Sequence, residues 1–200
     1  MTHPLEKILA KNRKSIYWTM SVFTLFLSVT ITLLGSDLKE YIDNNGQPVA
    51  PHGIASFELI HSAAEADRIL HFWGTSGKMS AALNLGFDFL FILAYANTIA
   101  LGCVWVASVL RERKFLRWAA VGIFFAWLQW LAGILDGIEN AALLRILFHA
   151  PTDTLALISR WCAIAKFTLA LVFGLGYQIV GLLILGYQKF FAKPKQVSHA

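Results

Sequence analysis

Two carboxylates and an amide stand close together inside one strongly apolar stretch of the sequence. Asp136, Glu139 and Asn140 lie in the run 118–142 at spacings of i, i+3 and i+4, so they share one face of a helix. Ionisable groups at membrane depth are costly unless they face a bundle interior or a water-filled cavity. We therefore expect this face to carry function. A carboxyl group there could act as a general acid or base, with a lysine as its electrostatic partner.

Neighbouring apolar runs bring further polar side chains to the same level. Asn84 and Asp88 stand at i and i+4 in the second run, and Tyr95 continues their stripe. Arg160 and Lys166 lie early in the fourth run. Because successive spans are antiparallel, we expect these side chains to line one polar pocket in the outer half of the protein, which binds, and could process, a lipidic or amphiphilic molecule. The predicted binding residues are Asp88, Asp136, Glu139, Asn140, Lys166, Asn84 and Arg160.

The elements that carry these residues are four apolar runs, each long enough to cross a bilayer as a helix. Hydrophobic residues make up 57% of the 200-residue chain and charged residues 14%, with a mean hydropathy of +0.59. Soluble domains have about a quarter of their residues charged. The composition therefore predicts a polytopic membrane protein with an all-α fold, a four-transmembrane-helix bundle in a single domain. The runs are 16–34, 81–110, 118–142 and 155–185.

Proline and basic residues indicate how the runs are arranged. All five prolines lie outside the runs, which predicts continuous spanning helices. The positive-inside rule places the basic segments, and with them both termini, in the cytoplasm.

No N-x-[ST] sequon occurs in the outer connections, which favours a bacterial inner membrane. Because the basic residues flank the spans, we expect no nucleic-acid partner. The basic residues that flank the spans are Lys7, Lys11, Arg13, Lys14, Arg111, Arg113, Lys114, Arg117, Lys189, Lys193 and Lys195.

The outer connection, 36–80, is predicted to contain a turn at Asn45 and Gly46 and then an amphipathic helix. Ser62 and Glu65 have the spacing of a capping box, and Gly74 is a plausible end. We expect this helix to lie across the outer mouth of the bundle, half in the interface. Its apolar stripe is Ala66, Ile69, Leu70 and Trp73.

Two other functional classes stay open beside ion or proton conduction, for which the cytoplasmic halves of the spans offer few polar groups. The first is a non-catalytic scaffold or assembly subunit, in which charge pairs pin the helices. In that case Gly133 and Gly137 offer a close-packing face, within the bundle as we favour, or toward a second copy or another membrane protein. The second is a metal-dependent membrane hydrolase, because Glu58 and His61 have the i, i+3 spacing that can present two zinc ligands. No H-E-x-x-H pattern occurs, so we predict no cofactor and no metal.

The layout resembles that of the emopamil-binding, sigma-2-like family of sterol isomerases and ligand-binding proteins. Four spans, cytoplasmic termini, one long first outer connection and carboxylates near the outer ends of spans two and three carry the resemblance. It implies a lipidic or amine ligand and assigns no residue roles. The claudin layout is also similar, but its outer-loop cysteine pair is absent, since Cys103 and Cys162 lie in the apolar runs.

Overall fold

The computed structural model describes residues 2–191, and all regular secondary structure within that range is helical. The helices in chain order are α1 (Leu5–Leu34), α2 (Ile54–Glu58), α3 (Ala63–Glu112), α4 (Leu116–Phe148), α5 (Asp153–Phe167) and α6 (Gly176–Phe191). A short 3-10 helix, Asp37–Lys39, follows α1, and a π-helix, Thr168–Leu175, joins α5 to α6. Some of the basic residues and prolines named above are not described. Lys193, Pro194 and Lys195 lie outside the described residues, and the side chains of Lys11, Arg13 and Lys189 are not described.

Four segments are long and apolar enough to cross a membrane, which fits a multi-pass integral membrane protein. They are Lys14–Leu34, Ala63–Glu112, Leu116–Phe148 and Asp153–Tyr187. Each contains one predicted run, so the prediction of four long apolar helices is confirmed. We call the end of these helices that carries the connection 35–62 the loop side, and the end that carries the α3–α4 connection, 113–115, the turn side.

The connection on the loop side contains the two local features that its sequence predicts. Asp43 Oδ1 accepts backbone N–H groups from Asn45 and Gln47 at 2.9 Å each, and Gly46 has a positive φ of 73°. These hydrogen bonds, the one from Gln47 first, lower the pKa of Asp43. Before α3, the Ser62 side chain accepts the N–H of Glu65 at 3.2 Å, which is the N-cap half of a capping box. The Glu65 carboxylate accepts the N–H of His61 at 2.9 Å in place of the N–H of Ser62.

Helix α3 changes direction at Gly74, where the predicted amphipathic helix ends. Gly74 has φ 54° and ψ −154°, a backbone conformation that residues with a Cβ rarely adopt. The predicted apolar stripe before it is entirely buried, and Trp73 Nε1 donates to the Leu38 carbonyl at 3.3 Å. The position of this helix across an outer mouth stays a prediction.

The last span is one uninterrupted helix, Asp153–Tyr187, as the absence of proline predicted, but its middle is not α-helical. Residues Thr168–Leu175 form a π-helix, in which the hydrogen bonds skip one additional residue and the register of the side chains shifts. Neighbouring helices supply donors to its carbonyl groups: Gln129 Nε2 to Leu169 at 3.0 Å, and Cys103 Sγ to Gly174 at 3.6 Å. Gly174 is buried in this segment, whereas the neighbouring Phe173 is 37% exposed.

Two apolar clusters form the core and leave a gap between them. On the turn side, α3 contributes from Ile92 onward and α4 contributes up to Ala126. On the loop side, α3 contributes up to Leu85 and α4 contributes from Leu143 onward. The predicted carboxylates of α3 and α4 therefore lie in the layer between the two clusters.

Candidate functional site

Lys166 is the centre of a cluster of carboxylates in this layer. Its Nζ lies 2.6 Å from Asp136 Oδ1 and 3.0 Å from Glu139 Oε2, both on α4. A third carboxylate, from Glu58 at the end of α2, places Oε2 at 3.8 Å. One ammonium group thus faces three carboxylates, which we call the lysine cluster.

The lysine cluster is shielded from solvent and only partly hydrogen-bonded. Glu139 is 0% exposed, Asp136 3%, Lys166 5% and Glu58 9%. The ammonium donates a hydrogen bond to Asp136, whereas its approach to Glu139 lacks the alignment of a hydrogen bond. Both Glu139 oxygens consequently have no donor among the described residues. Buried acceptors without donors are uncommon, so this cluster has capacity for another proton or donor.

Tyr95 extends the lysine cluster toward the turn side. Its hydroxyl donates to Asp136 Oδ2 at 2.9 Å, so both oxygens of this carboxylate have a donor. Charge-assisted bonds of this kind are stronger than neutral ones. Asp136 is therefore fixed in place by α3 and α5 together.

Asp88 and Asn140 form a second polar group in the same layer. Asn140 Nδ2 donates to Asp88 Oδ2 at 2.7 Å, and Asn140 is fully buried. Asp88 is only half-buried, and it forms no ion pair with any described residue. The layer thus holds four carboxylates, Asp88 and the three around Lys166, against one ammonium group.

A groove of about 380 Å³ runs along the seam between α3 and α4, beginning one helical turn from Asp88. Gly133 permits α3 and α4 to approach each other closely at the floor of the groove, since a Cβ added at Gly133 would lie 3.3 Å from Ala96 Cβ. Gly137, one turn nearer the carboxylates, would meet nothing within 4 Å, so the space beside α4 stays open there. The lining residues are Ile92, Leu93, Ala96, Asn97, Trp130, Gly133 and Ile134.

Two predicted site residues have other partners. Asn84 Nδ2 donates to the Ile31 carbonyl at 2.7 Å and so attaches α3 to α1. Arg160 Nη1 donates to the Leu59 carbonyl at 2.7 Å and so attaches α5 to the segment that follows α2. The structure therefore joins Asp136, Glu139 and Lys166 directly, and it pairs Asp88 with Asn140 beside them.

Glu58 belongs to the lysine cluster, although the sequence suggested it only as a metal ligand. Burial raises the pKa of Glu58, and the Lys166 ammonium only partly offsets that effect. His61, its expected metal-binding neighbour, instead lies 2.7 Å from Glu65. Within residues 2–191 no three His, Cys, Asp or Glu side chains are arranged to hold a metal ion. The usable sequence signal was a lone carboxylate within the apolar segment 54–60.

Comparison with known proteins does not assign the chain to a family. No protein-family model, curated protein or solved structure matches it. The evidence for a function therefore lies in the geometry of this layer and the adjoining groove.

Proposed function

We propose that the protein binds an amphiphile with a cationic, amine-type headgroup, which pairs with Asp88 while its apolar chain lies in the α3–α4 groove. The observation that carries this proposal is a half-buried carboxylate without a cation, one helical turn beyond an apolar groove. The ligand is a membrane amphiphile, and no nucleic acid or metal is involved.

Charge complementarity determines the sign of the headgroup. An ionised carboxylate among apolar helices is costly unless a cation pairs with it. Lys166 is engaged by Asp136 and Glu139, so it does not serve Asp88. An ammonium group would supply the missing charge and could donate to the Asp88 oxygen that Asn140 does not use.

The groove supports an apolar chain next to that headgroup. Asp88, Ile92 and Ala96 succeed one another at i, i+4 and i+8, so they follow one stripe of α3. Asn97, at the far end, is about 14 Å along the helix axis from Asp88. Exposed Leu93 and Ile134 flank the groove, which opens toward the surrounding lipid in this arrangement.

The proposal includes an orientation. The basic segments near α1 and the α3–α4 connection favour a cytoplasmic turn side, with both termini cytoplasmic. The carboxylate layer then lies in the outer half of the membrane, which we propose to be a bacterial inner membrane. An amine in the outer leaflet would reach Asp88 laterally.

The buried lysine cluster supports a second role, that of a structural pin as in a scaffold or assembly subunit. Lys166 on α5 contacts carboxylates from both α2 and α4, so the cluster ties three elements together. In this reading the charges stabilise the protein and bind no guest. A metal-dependent hydrolase is disfavoured, because Glu58 contacts Lys166 and His61 contacts Glu65.

Binding of dodecylamine to the purified protein tests the proposal. We expect the wild type to bind dodecylamine in preference to dodecanol, and the variant Asp88→Asn to bind it at least about tenfold more weakly, as loss of a charged hydrogen bond of roughly 1.5–3 kcal/mol implies. Asp67→Asn is the control, since Asp67 is an exposed acid near the start of α3. Equal dodecylamine affinity in wild type and Asp88→Asn would overturn the proposal in favour of the structural pin.

A further inference from the structure

The N-terminal segment, residues 2–11, contacts the helices near its start, where His3 and Leu5 are buried. His3 is 2% exposed, and its ring centroid lies 4.7 Å from those of both Trp127 and Trp130 on α4. Its Nδ1 accepts the N–H of Leu5 at 3.3 Å, and its Nε2 has no partner among the described residues. The imidazole is thus held by ring packing in an apolar seat.

This segment runs back from the turn side. Asn12 has non-helical angles, φ −151° and ψ 50°, which separate the segment from the rest of α1. Glu6 then pairs with Arg111 near the end of α3, Oε1 to Nη2 at 3.1 Å. Trp130 lies about 20 Å along α4 from the start of that helix. To reach it, the segment must reverse at Asn12 and re-enter the layer of the apolar helices.

The segment and the groove occupy adjoining lengths of the same seam. Trp127, Trp130 and Ile134 stand at i, i+3 and i+7, so they share one stripe of α4. His3 covers the first two, and the groove opens over the last two. Trp130 separates them, and its Nε1 donates to Asn97 Oδ1 at 3.2 Å across the seam.

We propose that the N-terminal segment is a removable end wall of the groove: docked, it holds Trp130 in place and limits the length of the chain that the groove accommodates. Undocked, it frees the Trp127 and Trp130 surface and lengthens the groove. This inference rests on the proposed function. His3 acts through Trp130 and is a positioning residue.

Protonation of His3 should release the segment. Burial lowers the pKa of His3, and the nearby Glu6 carboxylate only partly opposes that effect. Among the described side chains, Arg111 at the end of α3 is already paired with Glu6, and the packed face of α4 contributes the uncharged Trp127 and Trp130. The docked state is therefore favoured above the ordinary histidine pKa of 6.5 and is progressively lost as the pH falls below it.

The test is competition between decylamine and octadecylamine for the purified full-length chain, read as the ratio of the two bound amines by native mass spectrometry. At neutral pH we expect the wild type to favour decylamine. His3→Asp should raise the octadecylamine-to-decylamine ratio severalfold, because a carboxylate cannot occupy the apolar seat. His3→Leu should keep the wild-type ratio, because an apolar side chain can fill that seat. Ile8→Ala is the matched control, since Ile8 is 51% exposed on the same segment.

The pH dependence separates end-wall control from a general structural defect. In the wild type the ratio should rise on acidification, whereas in His3→Leu it should stay constant. If His3→Asp leaves the ratio unchanged while Asp88→Asn abolishes decylamine binding, the end wall is refuted and the proposed function stands. If Asp88→Asn binds both amines as the wild type does, the proposed function itself fails.

Discussion

The ammonium of Lys166 lies 2.6 Å from Asp136 Oδ1 and joins α5 to α4 in the layer between the two apolar clusters. Removing Lys166 leaves the Asp136 carboxylate buried without a cation, which costs about 3–5 kcal/mol in soluble proteins. Removing Asp136 leaves Lys166 paired with Glu139 at 3.0 Å. We therefore expect Lys166→Met to lower the free energy of unfolding by about 3–5 kcal/mol and Asp136→Leu to lower it by less. The double variant should lose much less free energy of unfolding than the sum of the two single losses.

Reversible unfolding in detergent measures all three variants and yields the coupling between the two positions. A double variant whose loss equals the sum of the single losses would contradict a direct pair. Tyr95→Phe supplies a graded comparison, because it removes the hydrogen bond to Asp136 and leaves the ion pair intact. Its expected cost is about 1.5–3 kcal/mol, as for a hydrogen bond to a charged group.

The close packing at Gly174 gives a second prediction. A Cβ added there would lie 2.6 Å from Ile99 Cγ2 and 2.8 Å from Gln129 Cδ, so one of these neighbours must move. We expect Gly174→Ala to destabilise the protein by about 1–3 kcal/mol, the usual cost of overpacking. Gly86→Ala is the control, because nothing lies within 4 Å of its added Cβ. Alanine there should be neutral, or stabilising by up to about 1 kcal/mol. Equal melting temperatures for the two variants would contradict the packing of the π-helix.

Much of the fold follows from composition and periodicity. Apolar runs of spanning length, with carboxylates at i, i+3 and i+4, are sufficient to predict four long helices and the joint placement of Asp136 and Glu139 on one face. The Ser62 cap and the Gly74 break follow equally from local chemistry. These features depend on neighbours along the chain.

The features that the sequence did not predict depend on tertiary contacts. The π-helix is satisfied by Gln129 and Cys103, which come from other helices, so a lack of proline could not exclude it. Likewise, Arg160 was assigned to the polar layer because of its charge, but a backbone carbonyl at Leu59 is its partner. Glu58 joins the lysine cluster because the end of α2 lies against α5, which is a tertiary contact.

Glu58 should give the protein a measurable pH dependence. Burial raises its pKa, so the folded state favours the protonated carboxyl group. Its contribution is therefore complete below the ordinary pKa of 4.5 and is lost as the pH rises toward the raised value. We expect thermal stability to decline over that range in the wild type and to decline less in Glu58→Gln, which keeps a neutral side chain of similar size. Parallel stability profiles in the two proteins would contradict this assignment.

Attachment of α1 should depend strongly on single hydrogen bonds, because only 6% of its most apolar window is buried. Asn84 Nδ2 donates to the Ile31 carbonyl at 2.7 Å, and Thr24 Oγ1 lies 2.8 Å from Thr98 Oγ1. Asn84→Ala removes the first contact and should cost about 0.6–1.5 kcal/mol, the range for hydrogen bonds between membrane helices and in protein interiors.

Hydrogen exchange locates this effect. In Asn84→Ala, the amides near the end of α1 should exchange faster, while those at the centre of α4 keep their wild-type rates. Thr32→Ala is the control, because the Thr32 hydroxyl donates only within α1, to the Ser28 carbonyl at 2.8 Å, and is exposed. Faster exchange in Thr32→Ala than in Asn84→Ala would mean that helix propensity, and not the contact with α3, holds the end of α1.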